Sequence, residues 1–372
     1  MEAHTELYIS PEIVEVWLKD KDYKILAYSF LDRPIYTVQW GCGTTKVLIW
    51  SQMHGNESTG LRAMMQLGDM WSKSPKDHPF LKEFTIVYVP QLNPDGASAW
   101  TRENAQGIDL NRDLRSLHSP EMRAFIHLLE ELSPSYALNL HDQRSTFSVG
   151  GSGEGAALAL AIPQCDPGKN WGNEHFNNRR KIRHAILQML TKGNVSRSTT
   201  TYFDESYYPT AVGEFVQELG VATLLVESGQ FKDDWSRRKS VLSTAEFINN
   251  YLLELSNVES ALADWKDNLS LDTPQVWGLE PNTPGMCDVL LRNARIRTFQ
   301  KEWKVDVAIN FIGKYDSGHF RLQPVLEELG DLSRRKGRTE YERISVDWDV
   351  VEKPYQKGME VPFWKQIEAY CG

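Results

Sequence analysis

Three stretches of the chain carry side chains that could do chemistry together. His54 and Glu57 lie three residues apart, in S-Q-M-H-G-N-E at positions 51–57. His141 follows the apolar run Tyr136–Leu140, and Glu227 follows the apolar run Ala222–Val226. Two imidazoles and one carboxylate, with a fourth position left to water, form the ligand set of an open catalytic zinc site. The H-x-x-E spacing lets one loop supply two ligands, so the third must come from a distant strand. A further carboxylate, Glu227, stands at the end of another strand. Singly, each piece is weak. An H-x-x-E arises often by chance, a histidine at a strand end is more often simply hydrogen-bonded, and a glutamate there can be a cap or an ion-pair partner. Their shared position joins them, because sites in open α/β sheets form beyond the carboxyl ends of strands.

The elements that must position these residues alternate along the first 250 positions. Lys46–Trp50, Phe84–Val89, Tyr136–Leu140 and Ala222–Val226 read as buried strands. Leu61–Trp71, Pro120–Leu132, His175–Leu190 and Ser243–Leu255 read as helices, and Pro120 marks a helix start. The alternation predicts an α/β fold, a mixed β-sheet with helices on both faces. Ser256–Pro284 holds Pro274, Gly278, Pro281 and Pro284 and reads as a linker. Beyond it, alternating runs such as Lys304–Phe311 and Arg343–Val351 predict a small β-rich unit. The expected organisation is a catalytic domain over residues 1–265 and a C-terminal β-rich domain over 280–372. The basic run at 334–338 reads as a solvated loop rather than an anion site.

A longer motif sits between the first histidine and the second. It is N-P-D-G at 93–96, then T-R-E-N-A-Q-G-I-D-L-N-R at 101–112. Here the sequence resembles the zinc metallocarboxypeptidases, the carboxypeptidase A/B-like family, and in flavour its bacterial members such as murein-peptide amidases. The resemblance covers roughly residues 45–230, with the motifs in the family's order. It implies that His54, Glu57 and His141 hold one Zn²⁺ per chain, and that Asp109 orients the first ligand histidine. It implies that Arg102 polarises the scissile carbonyl and that Glu227 is the general base and acid. Asn111 and Arg112 match the pair that holds a substrate's terminal carboxylate, a task that suits a guanidinium fork. A tyrosine some 20 residues before the glutamate caps the substrate in the pancreatic-type enzymes. Tyr207 and Tyr208 both lie in that region, and the sequence does not choose between them. Asp113 departs from the family, where many relatives have asparagine.

The implied activity is hydrolysis of a peptide bond next to a free C-terminal carboxylate. The alternative is a zinc-dependent N-acyl amino acid deacylase resembling aspartoacylase or succinylglutamate desuccinylase, which share much of the pattern and carry an added C-terminal β-domain. Arg102 with N-P-D-G favours the peptidase. The expected partner is thus a peptide or acylated amino acid with a free carboxylate. The C-terminal unit is expected to pack on the catalytic domain. It either borders the site entrance and limits substrate size or serves as a structural appendage.

Composition sets the remaining bounds. In 372 residues, 41% hydrophobic and 24% charged side chains exclude a disordered chain. A net charge of −9 argues against a global nucleic-acid surface. No apolar run is long enough for a transmembrane helix, so no membrane partner is expected. The first residues lack a secretory pattern, and the four cysteines are scattered without C-x-x-C, which fits a reducing, cytoplasmic setting.

Overall fold

Along the strand Thr45–Trp50, Val47 and Ile49 pack into one apolar cluster, while Leu48 and Trp50 pack into another. A strand buried on both sides requires a layer of helices on each face. The computed structural model has that arrangement, and describes residues 7–232, 234–260, 269–297, 302–348 and 355–371.

The first strands in chain order are β1 (Tyr23–Tyr28), β2 (Pro34–Gly41), β3 (Thr45–Trp50), β4 (Phe84–Val89) and β5 (Tyr136–Arg144). They are followed by β6 (Phe147–Val149), β7 (Leu158–Ala161), β8 (Thr200–Tyr202), β9 (Ala222–Gly229) and β10 (Glu280–Pro284). The helices are α1 (Pro11–Leu18), α2 (Thr59–Lys73), α3 (Phe80–Glu83), α4 (Pro94–Ala99), α5 (Pro120–Leu132), α6 (Asn173–Lys192), α7 (Val212–Glu218), α8 (Arg238–Ser260) and α9 (Trp364–Cys371).

These ten strands form one mixed sheet in the order β1-β2-β4-β3-β5-β9-β7-β8-β10-β6. Its centre, β4, β3, β5 and β9, is parallel throughout, so four carboxyl ends share one edge. On one face α2, α6 and α8 bury Leu61, Met64, Trp71, Ile182, Ile186, Phe247 and Tyr251. On the other, α5 and α7 bury Phe125, Leu129, Val212 and Val216. The expected α/β architecture is therefore observed.

Strand ends differ from the sequence reading at the two places that matter most. β5 and β9 run on past their apolar stretches, and His141 pairs with Glu227 inside the ladder. A polar side chain does not end a strand while its backbone groups still find partners across the ladder. The presumed linker also differs. Among its described residues, Trp277 is fully buried and donates to the Arg183 carbonyl. Asp272 pairs with Arg180, and β10 adds to the large sheet beside β8 and β6. Two prolines are tolerated there because the pairings are short. Residues 261–268 of that segment lie outside the described ones.

A second sheet contains β11 (Met286–Arg297), β12 (Glu302–Asp316), β13 (His319–Gly330) and β14 (Lys336–Glu342) in the order β13-β12-β11-β14, with β15 (Ser345–Asp347) beside β11. This is the expected β-rich tail, with a core of Val289, Leu291, Ile309, Leu326, Phe363 and Ile367. The basic run is solvated only in part: Arg334 and Lys336 are exposed, but the other two arginines are engaged. Arg338 is 5% exposed, lies 3.7 Å from Asp288, and donates to the Gln230 carbonyl. Arg335 pairs with Glu328 at 2.6 Å. Buried acceptors and acidic partners across the chain, invisible in a local charge run, account for the difference. No helix among the described residues is long and apolar enough to cross a membrane.

Candidate metal and active site

Asn93 ties together the loops that leave β3 and β4. Its Oδ1 accepts from Gly96 N at 2.8 Å and so caps α4, with Pro94 in the first turn. Its Nδ2 lies 3.3 Å from the carbonyls of both Met53 and Arg102, the residue before the first histidine and the site arginine. Gly55 lets the two loops touch, since a Cβ there would fall 1.9 Å from the Gly96 carbonyl carbon. Gln52 adopts a φ of 45°, a strained conformation for a non-glycine residue, two positions before His54. Its amide donates to the Gly55 carbonyl at 2.7 Å and receives from Gln91 at 2.8 Å.

The three expected ligands meet. His54 Nδ1 lies 3.0 Å from Glu57 Oε1, and His141 Nδ1 lies 2.9 Å from Glu57 Oε2. One donor atom from each residue falls within 4.8 Å of the others, and all three side chains are buried. Asp109 sits behind His54, its Oδ1 3.1 Å from Nε2. That contact favours the proton on Nε2 and leaves the Nδ1 lone pair, on the Glu57 side, free to bind a metal. Two imidazole nitrogens and a carboxylate oxygen in a buried pocket fit a zinc ion.

Electrostatics agree with a cation site. Burial alone would raise Glu57, but His54 and His141 beside it hold its carboxyl well below the usual range. Burial disfavours charge on His54, yet Glu57 and the hydrogen bond to Asp109 outweigh it and lift the imidazole to about 9. Burial pulls His141 the other way, downward. Glu227, across the ladder from His141, is pushed up to about 8 by burial and by the Glu57 and Asp142 carboxylates.

The remaining expected residues surround a cavity of about 390 Å³, within the usual range for ligand pockets. Arg102 lines it, with Nε donating to Asp109 Oδ2 at 3.0 Å and Nη1 3.2 Å from His54 Nδ1. Asn111 Oδ1 accepts from Val212 N at 2.8 Å, which uses the amide's acceptor and leaves its N–H donors. Arg112 lines the cavity beside it. Tyr208 lines the cavity and is 50% exposed, whereas Tyr207 lies outside its wall and interacts with Glu218. Asp113, the departure from the family pattern, accepts from His118 N, Ser119 N and the Ser119 hydroxyl and so holds the turn into α5.

Two carboxylates of the site escaped the sequence reading. Asp142, next to His141, donates its backbone N–H to Glu57 Oε2 at 3.2 Å and accepts from Thr59 through its side chain. Its adjacency to a ligand histidine was the available signal. Glu214, on α7, lines the cavity, and burial pushes it up to about 7. No local motif marks it.

The comparisons with known proteins follow this geometry. Carboxypeptidase SOL1 of Arabidopsis thaliana is 29% identical over 103 residues, 24% of this chain and 21% of that protein. The matched stretch thus spans about a fifth of the relative's length. Among solved structures, bovine thrombin-activatable fibrinolysis inhibitor, in complex with tick carboxypeptidase inhibitor, superposes with a TM-score of 0.52 at 14% identity, covering 70% of this chain and 99% of that one. A metallo-carboxypeptidase from Burkholderia cenocepacia gives 0.50 at 17% identity, covering 66% of this chain and 67% of that one. Carboxypeptidase A from Helicoverpa armigera gives 0.50 at 16% identity, covering 67% and 73%. At such identities these likenesses speak for the fold. The zinc carboxypeptidase family model matches residues 22–242, more than half of the chain and every strand that carries the site. The chain therefore belongs to the zinc carboxypeptidase family, peptidase M14.

Proposed function

We propose that this protein is a zinc-dependent carboxypeptidase that hydrolyses a peptide bond next to a free C-terminal carboxylate. The observation that carries the reading is the placement of Glu227 opposite His141 in the β5–β9 ladder, in a cavity that also holds Arg102 and Arg112. His54, Glu57 and His141 would hold the metal. Bound there, zinc supplies Lewis-acid polarisation and a water that ionises near neutral pH.

The chain's own groups do the rest. Glu227 takes a proton from the attacking water and returns it to the leaving amine. Its raised proton affinity suits a group that must do both. Arg102, steadied by Asp109, offers guanidinium donors to the charge that develops on the scissile oxygen. Arg112 and the free donors of Asn111 receive the terminal carboxylate, and Tyr208 closes over it. Tyr207 has no place in this scheme. Arg102 held in the site favours peptides over N-acyl amino acids, the second substrate class considered.

Replacing Glu227 with Gln tests the scheme. Turnover of a C-terminal peptide substrate should fall by at least about 10², the usual size of a general acid–base contribution. Zinc should stay near one per chain by elemental analysis. Near-normal turnover in Glu227→Gln removes the base from the mechanism. No hydrolysis of peptides by the zinc-loaded wild type removes the activity itself.

A further inference from the structure

We infer that the cavity selects a C-terminal lysine or arginine, with Glu214 and Asp204 receiving the positive end of that side chain. The inference rests on the peptidase reading and deepens it by naming the residue removed.

The β5–β9 ladder sets where that side chain goes. His141 faces Glu227 on one rung, and Asn139 faces Leu225 two residues back on both strands. Side chains two residues apart share a face and stand about 7 Å apart along a strand. All four line the cavity, so it runs back over the sheet from the metal site. A Cβ on Gly213, the residue before Glu214, would fall 3.9 Å from Asn139 Nδ2, so the start of α7 meets the cavity at the second rung. Phe147 and Phe203, their rings 5.8 Å apart, add an apolar wall with Ala161 and Pro163. A terminal carboxylate held by Arg112 leaves this space to the side chain of the same residue. The apolar wall suits an aliphatic stem.

Charge decides what the stem carries. Six carboxylates line the cavity: Glu57, Asp142, Asp204, Glu205, Glu214 and Glu227. Glu57 and Glu227 belong to the metal centre. Asp142 lies 3.6 Å from Arg237. Glu205 accepts from Arg183 and lies 3.5 Å from Arg179. Glu214 and Asp204 form no ion pair among the described residues.

Glu214 is 8% exposed, and the cation that acts on it is Arg112, which a bound terminal carboxylate would occupy. Asp204 stands exposed at the rim, where it accepts from the Ser206 hydroxyl at 2.7 Å. With substrate in place, this end of the cavity therefore keeps two unmatched carboxylates. A neutral side chain leaves Glu214 buried without a partner, and an acidic one adds repulsion. An ammonium or guanidinium brings both the charge and the donors that are missing.

The selectivity of the zinc-loaded full chain tests this. N-blocked dipeptides that share their first residue and end in lysine, arginine, glutamine, leucine or glutamate are compared by kcat/KM at pH 8, where Glu214 is ionised. Lysine and arginine should exceed glutamine and leucine by at least about tenfold, the scale of one charge pair drawn out of water, with glutamate last. Glu214→Gln should bring the lysine-to-leucine ratio to within about threefold, mainly through a higher KM for lysine. Asp204→Asn, at the exposed rim, should narrow the ratio severalfold. A wild type that takes leucine or glutamate as readily as lysine overturns the inference and leaves the peptidase reading intact. So does a lysine-to-leucine ratio that neither variant changes. Hydrolysis of none of the five, with zinc bound, removes the peptidase reading and this inference with it.

Discussion

At the scale of single residues, the metal donors compete with protons. Asp109 and Glu57 hold His54 charged up to about pH 9, so below that pH a proton occupies the site that zinc requires. The sign follows: zinc affinity rises with pH as His54 loses its proton. Below the ionisation of the zinc-bound water near pH 7, the slope should approach about tenfold per pH unit. Calorimetry of zinc binding to the metal-free protein at about pH 6, in buffers of different ionisation enthalpy, should find about one proton released per zinc. No proton release there, and an affinity that does not change between about pH 5.5 and 6.5, would contradict the charge state assigned to His54.

At the scale of elements, one side chain organises two loops. Asn93 caps α4 and also donates to the carbonyls that precede His54 and terminate Arg102. Asn93→Ala should lose the cap, worth about 1 kcal/mol, and strand two buried carbonyls at a further 1 kcal/mol or more. Asn93→Asp keeps the cap oxygen but loses both donated bonds, and should fall between. Denaturant unfolding gives the order, wild type above Asp above Ala. Zinc retention on dialysis should follow the same order, because the Met53 carbonyl sets the path of the chain into the first ligand. An alanine variant as stable as wild type would assign the motif's asparagine no structural role.

At the scale of the whole molecule, the second sheet is anchored by buried charge. Arg338 reaches the residue that follows β9, bonding the Gln230 carbonyl and facing Asp288. Burial lowers Arg338 to about 10 and raises Asp288, a desolvation cost offset in part by their attraction and by the Phe311 and Ser145 hydrogen bonds to Asp288. Arg338→Met leaves Asp288 buried without its nearest cation, and should cost about 3 kcal/mol in unfolding free energy. Adding Asp288→Asn to that variant should recover part of the loss, the signature of a coupled pair in a double-mutant cycle. A loss under about 0.5 kcal/mol would mean that water reaches the pair and that the sheets are held by apolar contact alone.

The sequence by itself determined the local parts of the site. H-x-x-E, N-P-D-G and the stretch from Thr101 to Arg112 are contiguous loops whose caps and turns are written in their own residues, as with Asn93 at α4 and Asp109 at the turn it opens. Short continuous apolar runs between helical patterns pointed to the α/β class, because burial on both faces of a strand requires such runs. Tertiary structure alone decided what depends on two distant surfaces meeting. It placed His141 and Glu227 side by side within paired strands, and it put Tyr208 rather than Tyr207 on the cavity wall. It turned a proline-rich linker into a strand of the main sheet with a buried Trp277, and a basic run into an anchor. It set the β12–β13 hairpin against Trp100, two residues before Arg102. Local periodicity records which face of an element is apolar, but not which partner covers it. That choice is made by long-range packing, whose contacts join residues hundreds of positions apart.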